Sequence, residues 1–149
     1  MFDDIHFRSR AYDPWLAYGQ SKTANVLFAV GASQQWAGDG ITANSLTPGG
    51  IRTNLQRYVS EEELDRMRAQ AGAGGAPSWK TVEQGAATSV FVATSPLLDG
   101  VGGGYFEDCA EAGLNEPGTR RGVAAYAIDP DNAARLWDVS LQEVSSSPG

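Results

Sequence analysis

The run Ala17–Val30, AYGQSKTANVLFAV, sets a tyrosine and a lysine four positions apart at the head of a long apolar stretch. Asp13-Pro14 just ahead of it is a helix start, because aspartate can cap free amide groups and proline suits the first helical position. The pattern predicts a helix from about Pro14 to about Trp36. Residues four apart on a helix stand one turn above the other on the same side, so the Lys22 ammonium can lie near the Tyr18 phenol. A positive charge beside a phenol favours its phenolate form and makes tyrosine a usable general acid or base. In a carbonyl/alcohol redox reaction such a tyrosine protonates the oxygen as hydride reaches carbon, or removes the hydroxyl proton in reverse. The hydride must come from a cofactor, since no side chain carries one. The helix middle, ANVLFAVGA, is apolar nearly all round, which predicts cover on two sides, by a sheet and by something else.

Outward from this helix, Asp39-Gly40 reads as a turn and ITANSLTP as a short strand ended by Pro48. SEEELDRMRAQ opens with a capping box, Ser60 with Glu63, and continues as a polar helix before the loose AGAGGAP. Thr81 and Gln84 form a second capping box ahead of GAATSVFVATSP, which favours helix over strand there. GVGGGYFEDC is a glycine turn feeding a second strand at Tyr105 and Phe106. Asp129-Pro130 repeats the helix-start signal, and Ala133, Leu136, Trp137, Leu141 and Val144 recur at helical spacing. The tail SSSPG reads as frayed, and the chain has no internal repeat.

Composition narrows the function. The 149 residues, 42% of them hydrophobic, suit one ordinary globular domain. A net charge of -7 repels a phosphate backbone, and the arginines are scattered, so nucleic-acid binding is not expected. One histidine, His6, and one cysteine, Cys109, cannot make a metal cluster, so no metal is expected either. Cys109 can form no internal disulfide and reads as a small buried hydrophobe rather than a nucleophile. No apolar run approaches the roughly 20 residues of a membrane span, and the amino terminus lacks signal-peptide order. The default expectation is a cytoplasmic protein.

With five tyrosines and two lysines, a Tyr-x-x-x-Lys match arises by chance at about 0.07, so the motif needs context. Context comes from Pro48-Gly49-Gly50-Ile51-Arg52-Thr53, one helix and one strand later. Together with Tyr18-Gly-Gln-Ser-Lys22 it resembles the short-chain dehydrogenase/reductase family. The similarity runs from about Phe2 to about Val144. Through ITANSLTPGGIRTNL, EQGAATSVFVATSP and GGYFEDCAEA it looks most like the branch holding retinol dehydrogenases and protochlorophyllide reductase. The resemblance implies an α/β fold, the C-terminal half of a Rossmann-like doubly wound parallel sheet with about two strands and flanking helices, as one partial domain over residues 1–149. It implies Tyr18 and Lys22 as catalytic residues that also touch the cofactor, NADP or NAD, and Pro48, Gly49, Ile51 and Thr53 as the nicotinamide side of its site. It further implies a small lipophilic carbonyl or alcohol as substrate, and the polar helix after Thr53 as a substrate lid. Ligands beyond the carboxyl ends of strands are the rule in open α/β sheets.

The family's first half has no counterpart here. The chain contains no Thr-Gly-x-x-x-Gly-x-Gly turn, no Asn-Asn-Ala-Gly segment and no serine in the family serine's place, Ser9 and Ser21 both being misplaced. GVGGG feeds a strand instead of opening a helix under a pyrophosphate, so it is read as a turn. The expectation is a truncated chain, inactive alone and unable to bind NADP(H) appreciably, with exposed apolar surface that drives self-association or takes up a complementing N-terminal fragment. A non-catalytic interaction module is the first alternative. A sugar-nucleotide epimerase or dehydratase is the second, and the PGGIRT and YFEDC segments argue against it.

Overall fold

The computed structural model describes residues 2–51, 53–63 and 79–146. They form two compact units, one of Met1–Ser45, Gly100–Tyr105 and Ala124–Gly149, the other of Leu46–Asp99 and Phe106–Val123.

The first unit is built on helix α1, Pro14–Trp36, whose start follows from its cap: the Asp13 carboxylate accepts from the Leu16 amide at 2.7 Å. Its apolar middle meets helix α3, Pro130–Ser146, in a small core where Leu27, Val30 and Ala133 are buried with Phe2, Ile128 and Leu136 against them. Trp137 stacks on Phe28 at 5.7 Å between centroids and meets Trp36 edge-on at 5.4 Å. Asp129 caps α3 through the Asn132 amide at 2.8 Å. The apolar stripe predicted along α3 is buried only in its first half, because Leu141 and Val144 are exposed. Of the tail expected to fray, Ser145 and Ser146 are helical, and the Ser146 hydroxyl donates to the Gln142 carbonyl at 2.7 Å. The last three residues lie outside the description. At the amino-terminal end, the Asp4 carboxylate gathers the amides of Arg8, Ser9 and Arg10 at 2.7, 3.0 and 3.1 Å.

The sheet has three strands in the order β1-β2-β3, with β1 Ser45–Leu46, β2 Tyr105–Glu107 and β3 Ala110–Glu111. Ser45 and Thr47 amides donate to Gly104 and Phe106 carbonyls, each at 2.9 Å, so β1 and β2 run parallel as expected of a Rossmann-like sheet. β1 is shorter than the ITANSLTP reading. Its predicted first half is held by one backbone bond, the Gly103 amide donating to the Ala43 carbonyl at 2.8 Å, and by side chains: the Ser33 hydroxyl donates to the Ala43 carbonyl and accepts from the Ala43 amide, at 2.7 and 3.0 Å. Asn44 likewise spans to Val101 and Gly104 at 2.8 and 2.9 Å.

β3 was not foreseen. It runs antiparallel to β2, with Glu107 opposite Ala110, and the two residues between them, Asp108 and Cys109, have φ of 49° and 59°. Both central residues left-handed is the requirement of a type I′ hairpin turn, usually met by Asn-Gly. Cys109 is therefore exposed at a turn and not buried as its residue type led us to expect.

In the second unit, helix α2, Val82–Thr94, begins at a complete capping box: the Gln84 amide donates to the Thr81 hydroxyl at 3.2 Å and the Thr81 amide to the Gln84 side chain at 2.9 Å. Thr88, in the middle of α2, is buried, and its hydroxyl accepts from the Cys109 amide at 3.2 Å. Phe91 of α2 meets Phe106 of β2 edge-on at 6.2 Å. The Ser60 hydroxyl accepts from the Glu63 amide at 3.2 Å, which is the cap predicted there. The remainder of the proposed lid helix and the AGAGGAP segment lie outside the described residues.

Candidate functional site

Tyr18 and Lys22 project from the first turns of α1 on one side, with the Lys22 ammonium 5.2 Å from the centroid of the Tyr18 ring. That is within cation–π range, so the charge sits over the phenol's π face. Tyr18 is half exposed at 51%, and Trp15 one turn earlier packs edge-on to its ring at 6.3 Å. Among the described residues, the Tyr18 hydroxyl has no hydrogen-bond partner and the Lys22 ammonium no carboxylate partner. Ser21, inside the motif, is turned to the helix backbone, its hydroxyl donating to the Tyr18 carbonyl at 2.7 Å. Ser9 is likewise committed, donating to Asp4 at 2.9 Å.

Pro48, Gly49, Ile51 and Thr53 belong to the second unit, where they form the stretch leaving β1. Gly49 has φ of 81°, a left-handed conformation that suits glycine. Its amide donates to the Thr47 hydroxyl at 3.3 Å. The Gly50 carbonyl accepts from the Lys80 amide at 2.9 Å, which makes a parallel bridge between Ile51 and Lys80. Ile51 lies over Gly85 of α2, so close that a β-carbon at Gly85 would run into its side chain. Thr53 is exposed just before a 3-10 turn, Asn54–Tyr58.

One cluster in this unit was not singled out in the sequence. The Lys80 ammonium pairs with the Asp108 carboxylate, which also receives the Arg121 guanidinium at 3.3 Å. The Lys80 hydrogen bond foremost holds the Asp108 carboxyl below its ordinary range, opposed next by burial and helped by the charges of Lys80 and Arg121. The signal that could have found it is thin: Lys80 is one of only two lysines and directly precedes the Thr81 cap.

A cleft of about 490 Å³ opens in the first unit, lined by Phe2, Arg10, Trp15, Leu16, Gln20 and Tyr126 among others. Leu16, Gln20, Thr23 and Leu27 put one side of α1 toward it. Neither Tyr18 nor Lys22 lines it, although Trp15, which packs on the Tyr18 ring, and Gly19, three residues before Lys22, both do. The cleft thus adjoins the Tyr18/Lys22 pair through Trp15 without being lined by it. Among the described residues no three His, Cys, Asp or Glu side chains gather as metal ligands would, and no helix is long and apolar enough to cross a membrane.

No family model matches the chain. Individual relatives do. It is 54% identical to a probable oxidoreductase of Streptomyces lividans over 97% of this chain and 50% of that protein. It is 39% identical to the short-chain dehydrogenase/reductase prx1 of Penicillium roqueforti, over 99% of this chain and 43% of that one. Against human retinol dehydrogenase 14 the identity is 35%, over 93% of this chain and 38% of the relative. The chain thus spans about half the length, or less, of the curated relatives it matches. With 39% identity over 99% of this chain to a relative that carries the family's name, and with Tyr-x-x-x-Lys and PGGIRT in their order on an α/β framework, the chain belongs to the short-chain dehydrogenase/reductase family.

Proposed function

We propose that the chain supplies the proton-transfer pair and the nicotinamide-side loop of an NAD(P)-dependent oxidoreductase acting on a small lipophilic carbonyl or alcohol. The observation that carries this reading is the Lys22 ammonium 5.2 Å over the ring of a half-exposed Tyr18 whose hydroxyl is unengaged among the described residues. A phenol and an ammonium left open to incoming groups suit a substrate oxygen and a ribose hydroxyl, so these residues fit a nicotinamide dinucleotide. When bound, NAD(P)H supplies the hydride. Tyr18 then gives its hydroxyl proton to the carbonyl oxygen, or takes the alcohol proton in reverse, while Lys22 stabilises the phenolate left behind. Pro48, Gly49 and Ile51 offer main chain to the nicotinamide, and Thr53 offers a hydroxyl.

The retinol dehydrogenase among the relatives supports a lipophilic substrate class. Because no Thr-Gly-x-x-x-Gly-x-Gly turn occurs in the 149 residues, we infer that this chain by itself holds the adenosine and pyrophosphate weakly. Carbonyl reduction measured in the chain combined with a family amino-terminal half tests the assignment. Tyr18→Phe should lower turnover by about 100-fold or more with cofactor affinity kept. Full activity in Tyr18→Phe would end this reading.

A second reading, self-association, is favoured by the exposure of Trp15, Leu16 and Phe28 on α1 and of Val90 on α2. The two readings are compatible, since apolar faces left over on a catalytic chain are still available to a partner copy.

A further inference from the structure

We propose that Lys80 and Asp108 are positioning residues, an ionic latch that holds the Pro48–Ile51 stretch in its observed backbone conformation. The inference rests on the reading of that stretch as the nicotinamide-side loop for its purpose, but on geometry alone for its existence.

Lys80 touches the loop twice. Its amide donates to the Gly50 carbonyl at 2.9 Å, and its side chain lies along Gly49, with Cε and Nζ each 2.9 Å from where a β-carbon on that residue would stand. The lysine stem therefore fills the space that the absent side chain leaves, against a residue already at φ of 81°. A four-carbon stem would not stay there unaided, because it has many rotamers to visit. The far end supplies the restraint: the ammonium is bound by Asp108, with the Lys80 side chain 24% and the Asp108 side chain 47% exposed.

Asp108 is itself held, in a left-handed turn position whose neighbour Cys109 is tied by its amide to the buried Thr88 of α2. Ile51 completes the arrangement from the other side by packing on Gly85 of the same helix. The loop is thus fastened at both ends to α2, directly through Ile51 and through Lys80 to the hairpin turn that α2 also anchors. Arg121 reaches the same carboxylate but is 79% exposed and, among the described residues, has no hydrogen bond or ion pair to the loop, which separates the latch from mere charge balance.

The test is amide hydrogen exchange on the full 149-residue chain, comparing wild type with Lys80→Met, Lys80→Arg, Asp108→Asn and Arg121→Met. Exchange at Gly49, Gly50 and Ile51 should rise about tenfold or more in Lys80→Met and Asp108→Asn, and combining the two should add little further. Lys80→Arg should recover most of the protection, Arg121→Met should leave it nearly unchanged, and amides in the middle of α1 should not respond in any variant. Unchanged loop exchange in Lys80→Met, or an equal rise throughout the second unit, would overturn the latch. A parallel titration with nicotinamide mononucleotide, which lacks the adenosine end, separates the two readings. Failure of wild type to bind it, with the exchange pattern as stated, counts against the assigned function and leaves the latch supported.

Discussion

Thr88 shows how much one hydroxyl can carry. It is 1% exposed, and its oxygen takes the amide of Cys109, a residue already held at a positive φ. Thr88→Val keeps the shape and leaves that amide without its partner, so a loss of about 1–3 kcal/mol is expected in denaturant unfolding. A midpoint unchanged from wild type would show that the turn finds another acceptor. Asp4 makes a different case, because its effect depends on pH. The Ser9 amide foremost, then those of Arg8 and Arg10 and the Ser9 hydroxyl, lower its carboxyl from 3.8 to about 2, with desolvation opposing. A depressed carboxyl stabilises the fold above its ordinary value and loses that contribution as pH falls through the folded one. Asp4→Asn should therefore melt below wild type at neutral pH, with the difference closing between pH 4 and about 2. A gap that persists at pH 2 would assign the loss to shape instead of charge. Single residues were also where the sequence misled: Cys109 looked like core by type, and its place in a turn depends on Thr88, 21 positions earlier.

The elements were legible wherever their signals are local. Asp13-Pro14, Thr81 with Gln84, and Asp129-Pro130 each mark a helix start found in the structure, because a cap and the amide it satisfies lie within three residues. Strands were harder. The stretch Ile41–Asn44 has strand-like residues, yet Ser33 and the segment at 101–104 take up its backbone and side-chain bonds, and those partners lie 10 and about 60 positions away. β3 was invisible because Asp-Cys is not a turn sequence that statistics favour. In the site, the Tyr18/Lys22 spacing could be read directly, whereas Lys80 and Asp108 meet across 28 positions and only the fold pairs them. Helix glycines give a paired expectation at this scale. Gly85→Ala should cost about 1–3 kcal/mol, since the new methyl would displace Ile51. Gly19→Ala, with nothing within 4 Å of the new atom, should raise stability by about 0.5–1 kcal/mol through helix propensity. Chemical unfolding of both variants checks the pair, and equal effects would mean that α2 does not seat on the loop.

Across the whole molecule, charge and apolar surface pull in opposite directions. The chain carries a net -7, which sets copies against one another at low ionic strength, while Trp15, Leu16, Phe28 and Val90 offer area that association would cover. Salt screens the first and not the second, so sedimentation at tens of micromolar should show oligomers that grow as ionic strength rises. A monomer at every salt concentration would mean that these faces are too dispersed to pair. The experiment needs reductant, for a reason that lies in the turn between β2 and β3. Cys109 is the only thiol in the chain and the residue is exposed, its sulfur 3.8 Å from the Thr88 hydroxyl, so air oxidation would join two copies covalently and counterfeit the assembly being measured. The same exposure is an advantage for spectroscopy. A thiol-reactive dye would enter at one defined position, beside Asp108, without any engineered cysteine, and its emission would report from the hairpin while the rest of the chain stayed as nature wrote it.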